Sequence, residues 1–177
     1  LGALVIATVG SDAKVAIAKA LGADHVIVSS RESISARVRE IAPSVGIDDA
    51  AAGCAMTEYL LGLGHRRFGF IKGLSGHLSA ESRFDGFVRA LRAAGVPQES
   101  VRVERGDFTF HSGIEAANRI LADAARRPTA LVCANDDMAA GALLAIHKMG
   151  LEIPRDISVT GFDDTPVSEI VWPPLTT

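Results

Sequence analysis

Cysteine is scarce: 177 residues hold two, Cys54 and Cys133, both inside apolar stretches. That excludes a disulfide scaffold and a cysteine-based zinc site, and points to buried thiols in a reducing, cytoplasmic setting. Aromatic residues are few, at 5%. No apolar run approaches the roughly 18 residues of a membrane span, so no membrane partner is expected. The start, Leu1-Gly2-Ala3-Leu4, lacks both the basic lead of a signal peptide and an initiator Met, which suggests a fragment. Basic residues are not in excess either. The formal net charge is −3, and phosphate contacts need clustered Lys and Arg, so nucleic acid is not expected as a direct partner.

Catalytic signatures are also missing. His25, His65, His77, His111 and His147 are scattered without metal-ligand spacing, so no metal is expected. No G-x-S-x-G and no G-x-G-x-x-G occurs, and neither cysteine has an adjacent basic partner. The chain reads as a non-enzyme without a cofactor. The pairs Asp136-Asp137 and Asp163-Asp164 are adjacent carboxylates, for which capping and solvation are the simplest account.

Alternating strands and helices are what the sequence does contain. The apolar run over 4–9 predicts a strand buried on both faces, and Ser11-Asp12 opens a helix that Gly22 closes. A strand follows at 25–28. Ser29 with Glu32 forms a capping-box pattern before the stripe Ile34, Val38, Ile41, and Pro43 stops that helix. Beyond it, helices are predicted from Asp48 or Asp49 to Leu63, around Phe84–Leu91, from Ser112 with Glu115 to Leu121, and over 136–149. Strands are predicted at 68–72, 101–104, 130–134 and 157–162. This order implies an α/β fold, a doubly wound three-layer sandwich with a mainly parallel, Rossmann- or flavodoxin-like sheet. Residues 1–42 supply only two strands, so one domain over 1–177 is expected. In it those strands dock on the sheet of 68–177 under Ile34, Val38 and Ile41.

The motifs VGIDDAAAG (45–53), LGLGHRRFGFIKG (61–73), RFDGF (83–87), CANDDMAAG (133–141), ISVTGFDD (157–164) and PPLTT (173–177) resemble, in order and spacing, the LacI family of bacterial transcription regulators. The resemblance implies the C-terminal lobe of a periplasmic-binding-protein-like sensor domain that recognises a sugar or a purine. It assigns Arg83 to ligand oxygens, Asp163 to ligand hydroxyls or ring NH groups, and Phe108 to stacking on a flat or apolar face. Asn135 would both donate and accept. Each also has a plain structural role: Asn135 and Asp136 as helix caps, Arg83 paired with Glu81 or Asp85, Phe108 in the core. No helix-turn-helix is seen, so operator binding by this chain is not expected.

Residues 1–42 resemble instead part of the nucleotide domain of quinone oxidoreductases in the medium-chain dehydrogenase superfamily, through LGALVIATVGSDAKVAIAKALGADHVI and SSRESISARVREI. That resemblance places Ser11 and Lys14 where a 2′-phosphate of NADPH would bind. They are read as vestigial, because the Gly-rich pyrophosphate turn is absent. Helix capping by Ser11 or Asp12 and a solvated Lys14 are the simpler account. Two resemblances meeting near Pro43 suggest an engineered, monomeric chimera without catalytic or DNA-binding activity, and with at most weak sugar or purine binding. The alternative is the small-molecule-binding domain of a LacI-family regulator.

Overall fold

The computed structural model describes residues 5–32, 34–41 and 48–177 of the chain. It divides into two units, Leu1–Ile47 and Asp48–Thr177. In the first, β1 (Ile6–Val9) lies parallel to β2 (His25–Val28), paired Ile6 with His25 through Val9 with Val28. A 3-10 turn, Asp12–Lys14, and α1 (Val15–Ala20) cross between them, and Gly22 ends the helix at φ +97, a conformation glycine adopts without a Cβ clash. Ile27 and Val28 are buried, whereas Ile17 and Leu21 are exposed. Then comes α2 (Ile34–Ile41).

One local expectation changes here. The capping box does not form: the Glu32 carboxylate accepts the Val28 N–H at 2.8 Å, and the Ser29 hydroxyl donates to the Val9 carbonyl at 3.2 Å. Those bonds hold the chain against β1 and β2, so α2 begins only at Ile34. Val38 and Ile41 are half-buried, while Leu4, Pro43 and the side chain of Ile34 lie outside the described residues.

The second unit carries α3 (Asp49–Gly62), β3 (Phe68–Lys72), α4 (Leu78–Ala93), β4 (Val101–Arg105), α5 (Phe110–Leu121), β5 (Ala130–Cys133), α6 (Asp136–Lys148), β6 (Ser158–Thr160) and α7 (Val167–Ile170). The strands stand in the order β4-β3-β5-β6, all parallel. Alternation along β3 shows the double winding. Phe68 and Phe70 meet Phe87 of α4, whereas Gly69 faces Ile120 of α5. Helices pair across glycines on each side. A Cβ on Gly86 (α4) would lie 2.0 Å from the Ala50 carbonyl oxygen of α3, and one on Gly141 (α6) would lie 2.0 Å from that of Phe110 (α5). Asp48 caps α3, accepting from Ala51 N–H at 2.9 Å. The cap of α5 is Thr109, three residues before the expected Ser112. Thr109 Oγ1 accepts Ser112 N–H at 3.2 Å, and Ser112 Oγ is used by Asp107 N–H at 3.0 Å.

The α/β, doubly wound class stands, but the expected single continuous sheet does not. Among the described residues β1 and β2 form a two-stranded sheet of their own. They pair with each other along one edge, and in the four-stranded sheet the outer edge of β6 is taken by the residues around Thr176. There Thr160 bridges Thr176, and Gly161 N–H donates to the Thr176 carbonyl at 2.9 Å.

Candidate functional site

From β3 the chain crosses to β4 on one side and then returns past it to β5 on the other. The carboxyl ends of β3 and β5 therefore flank the topological switch point, where open α/β sheets bind ligands. Arg83, Phe108, Asn135 and Asp163 all come to this edge. Arg83 reaches it from the first turns of α4, and the other three from the loops after β4, β5 and β6.

Arg83 is the hub. Its Nε donates to Asp49 Oδ1 at 2.8 Å, one Nη donates to the Ala134 carbonyl at 2.6 Å, and the other meets Asp163 Oδ1 at 3.1 Å. Its guanidinium lies 3.6 Å from the centroid of the Phe162 ring. The expected partners Glu81 and Asp85 are not used. Three of its five N–H donors are thus engaged. The Arg83 side chain is 12% exposed and Asp163 40%, so the pair opens outward at the aspartate. Burial pushes the Asp163 carboxyl above its usual range. The Arg83 charge opposes that, and the nearby Asp136 charge adds to it.

Asn135 acts as a cap and a clamp. Its Oδ1 accepts Met138 N–H at 3.1 Å at the start of α6, and its Nδ2 donates to the Phe108 carbonyl at 3.1 Å. Phe108 sits at φ +70, its ring on Gly73 and edge-on to His77 at 4.9 Å. A Cβ on Gly73 would fall 2.2 Å from that ring, so glycine there makes the seat. Three non-glycine residues have positive φ among the described residues: Phe108, Asp163 and Asp164. All lie on this edge, where backbone strain and function coincide in many proteins.

Several members of the site were not singled out by sequence. Asp136, read as a solvated cap, is fully buried. It accepts from Thr165 N–H at 2.7 Å, from the Thr165 hydroxyl at 3.0 Å and from the Thr177 hydroxyl at 2.6 Å, tying the loop after β6 and the chain's end to α6. Asp49 read only as a cap, and Phe162 carried no signal beyond its place in the GFDD run. Next to Phe108, Lys72 and Arg105, the last residues of β3 and β4, both pair with Glu81 of α4, at 2.5 and 3.3 Å. The Lys72 hydrogen bond, foremost, then the charges of Lys72 and Arg105, hold the Glu81 carboxyl below its usual range. Cys133 is buried, and burial pushes its thiol strongly upward, with the Asp136 charge adding to that.

Ser11 and Lys14 are not part of this cluster. They lie in the other unit, both exposed, and Ser11 makes no side-chain cap bond. Asp12 between them pairs with Arg31 at 2.9 Å.

Residues 57–177 match the model of the periplasmic binding protein-like domain, so the chain belongs to that family. The chain is similar to the HTH-type transcriptional repressor CytR of Escherichia coli, 39% identical over 135 residues, which are 76% of this chain and 39% of that protein. It is 36% identical to the HTH-type transcriptional regulator MalR of Streptomyces coelicolor over 163 residues, 90% of this chain and 45% of MalR. Among solved structures, the transcriptional regulator CelR–cellobiose complex aligns at a TM-score of 0.67 and 34% identity, over 73% of this chain and 39% of that one. The chain spans under half the length of these three proteins.

These matches correct the chimera. Residues 43–177 are 135 of 177, or 76% of the chain, so a match over 90% extends well into residues 1–42. The similarity to a single regulator crosses Pro43, and nothing in the matches supports a quinone oxidoreductase segment. The relatives named here are regulators, not enzymes.

Proposed function

We propose that this chain is the effector-sensing part of a LacI-type transcription regulator, and that it binds a small molecule of the sugar or nucleobase class at the carboxyl edge of β3, β5 and β6. The observation that carries the reading is the convergence of Arg83, Phe108, Asn135 and Asp163 on one switch point. In this reading Arg83 and the Asp163 carboxylate, 3.1 Å apart at their shared contact, bind adjacent ligand hydroxyls or a donor–acceptor edge of a base. Phe108 offers an apolar face beside them, held by Gly73 and by Asn135. Asn135 serves as a positioning residue: it is buried, with one bond from its amide nitrogen to the Phe108 carbonyl and one to its oxygen from the Met138 N–H. CelR, a relative of similar fold, was solved with cellobiose.

Calorimetry of the chain against pentoses, hexoses, cellobiose and nucleosides tests this. At least one is expected to bind, and Phe108→Ala should weaken it about tenfold, the ~1.4 kcal/mol of a stacked aromatic. Binding by none of them, or binding indifferent to Phe108→Ala and Asp163→Asn, would overturn the reading.

A further inference from the structure

The turn after β6 carries two groups of the site. Phe162 lies against the Arg83 guanidinium, its ring centroid 3.6 Å away, and Asp163 Oδ1 meets an Arg83 Nη at 3.1 Å. Asp163 stands at φ +104 and Asp164 at φ +50, conformations that side chains other than glycine keep only where the surroundings enforce them. The Asp163 side chain is 40% exposed, so its own packing supplies little of that enforcement.

The enforcement comes from Asp136, at the start of α6. Its Oδ2 accepts the Thr165 N–H at 2.7 Å and the Thr165 hydroxyl at 3.0 Å, which fixes the chain just after the turn. Its Oδ1 accepts the Thr177 hydroxyl at 2.6 Å, and the same Thr177 oxygen accepts the Asp164 N–H at 3.2 Å. Thr177 thus relays the carboxylate to a strained residue of the turn itself. Before the turn the backbone passes directly over the carboxylate: a Cβ on Gly161 would lie 2.1 Å from Asp136 Oδ1. The first turn of α6 does not require this arrangement for capping, because Asn135 already caps the helix. Asp137, in the same first turn, is exposed, whereas Asp136 is fully buried. A carboxylate suits the buried place, since a helix start favours negative charge and the three groups that reach it all donate.

We infer that Asp136 is a positioning residue of the effector site: through Thr165 and Thr177 it holds the turn after β6 in its strained form, and so sets Phe162 and Asp163 against Arg83. The consequence for ligand affinity rests on the proposed effector site, while the positioning rests on the geometry of the turn.

The test removes the two hydroxyls, in Thr165→Val combined with Thr177→Val, and leaves the Asp136 carboxylate in place. Two NMR signals report on the turn without a ligand. In the unmodified chain the Phe162 ring should shift the Arg83 side-chain resonances upfield, and the Asp163 carboxyl should titrate above the ordinary carboxylate range, chiefly through burial. In the double variant the upfield shift should be largely lost, and the Asp163 titration should fall back toward the ordinary range as the turn enters water. Asp137→Asn should change neither signal. Calorimetry with glucose, ribose, cellobiose and adenosine should show binding about tenfold weaker in the double variant for any probe that the unmodified chain binds, the loss of roughly one hydrogen bond to a charged group. A role in stability alone would lower the thermal midpoint and leave both NMR signals in place. That result, in a double variant whose near-ultraviolet spectrum shows it folded, would overturn the inference, as would a released turn with unchanged affinity. Binding of no probe by the unmodified chain would instead overturn the effector site, and the two NMR signals would still decide the positioning on their own.

Discussion

Arg83 is the side chain on which most of the site depends, because its fork ties α3, the end of β5 and the loop after β6 at once. Arg83→Ala would leave Asp49, 15% exposed, and the Ala134 carbonyl without their partner. The expected cost is about 2–3 kcal/mol, read as a lower urea midpoint with an unchanged slope. Arg83→Lys should recover only a part of that, since one ammonium cannot span three acceptors in a planar fork. His65 gives a pH dependence with a definite sign. Its Nδ1 lies 3.0 Å from the Thr129 hydroxyl, which itself donates to the Arg67 carbonyl, so His65 supplies the N–H. Burial lowers its pKa below the ordinary 6.5. The unfolded chain then binds the proton more readily, and stability is lost as pH falls from 6.5 toward the lowered folded value. Thermal midpoints measured from pH 7.5 down to 5.5 should drop less in His65→Asn than in the unmodified chain, and equal drops would count against this assignment.

At the level of elements, the packing on each side of the sheet is set by glycines rather than by interdigitating large side chains. Gly53 and Gly86 let α3 and α4 approach, and Gly113 and Gly141 do the same for α5 and α6. A methyl on Gly86 or Gly113 would meet backbone atoms at 2.0–2.2 Å, which only a shift of a whole helix relieves. Gly86→Ala and Gly113→Ala should therefore each cost about 1–3 kcal/mol, seen as a lower thermal midpoint. Gly62→Ala is the opposing case. It ends α3 with nothing within 4 Å, and it should stabilise by about 0.5 kcal/mol through helix propensity and a smaller unfolded-state entropy. If all three variants moved the midpoint alike, close helix approach would not be what those glycines provide.

For the molecule as a whole, almost all of the buried apolar surface belongs to the second unit. The connected core runs from Leu60 through Val159, whereas the first unit contributes Ile27 and Val28 among its described residues. A two-stranded sheet of that size is marginal alone, while four parallel strands covered on both faces are not. We therefore expect residues 48–177, made without 1–47, to fold cooperatively and to keep a thermal midpoint close to that of the full chain. Loss of the near-ultraviolet signal in that fragment would show that the first unit is required for the core.

Strand and helix order was legible because period-two and period-3.6 patterns are local. β2, β3 and the start of α6 fall where the apolar runs and the Asn135-Asp136 cap put them. The site was legible in part for a different reason. Strand ends and their loops are marked by motifs such as GFDD and CANDD, and a parallel sheet brings all such ends to one edge. Sequence pattern therefore determined the α/β class, and the resemblance to LacI-type regulators named Arg83, Phe108, Asn135 and Asp163, which the fold brings to that edge. Neither could tell which partner each would take. Arg83 chose Asp49 and Asp163 over its helix neighbours, Asp136 was buried rather than solvated, and Glu81 gathered Lys72 and Arg105. Those choices join residues from 9 positions apart, Lys72 and Glu81, to 80, Arg83 and Asp163, and so depend on how the strands are ordered. Only the tertiary structure decided them, along with the division into two sheets, because an open strand edge takes whichever partner the folded chain brings to it.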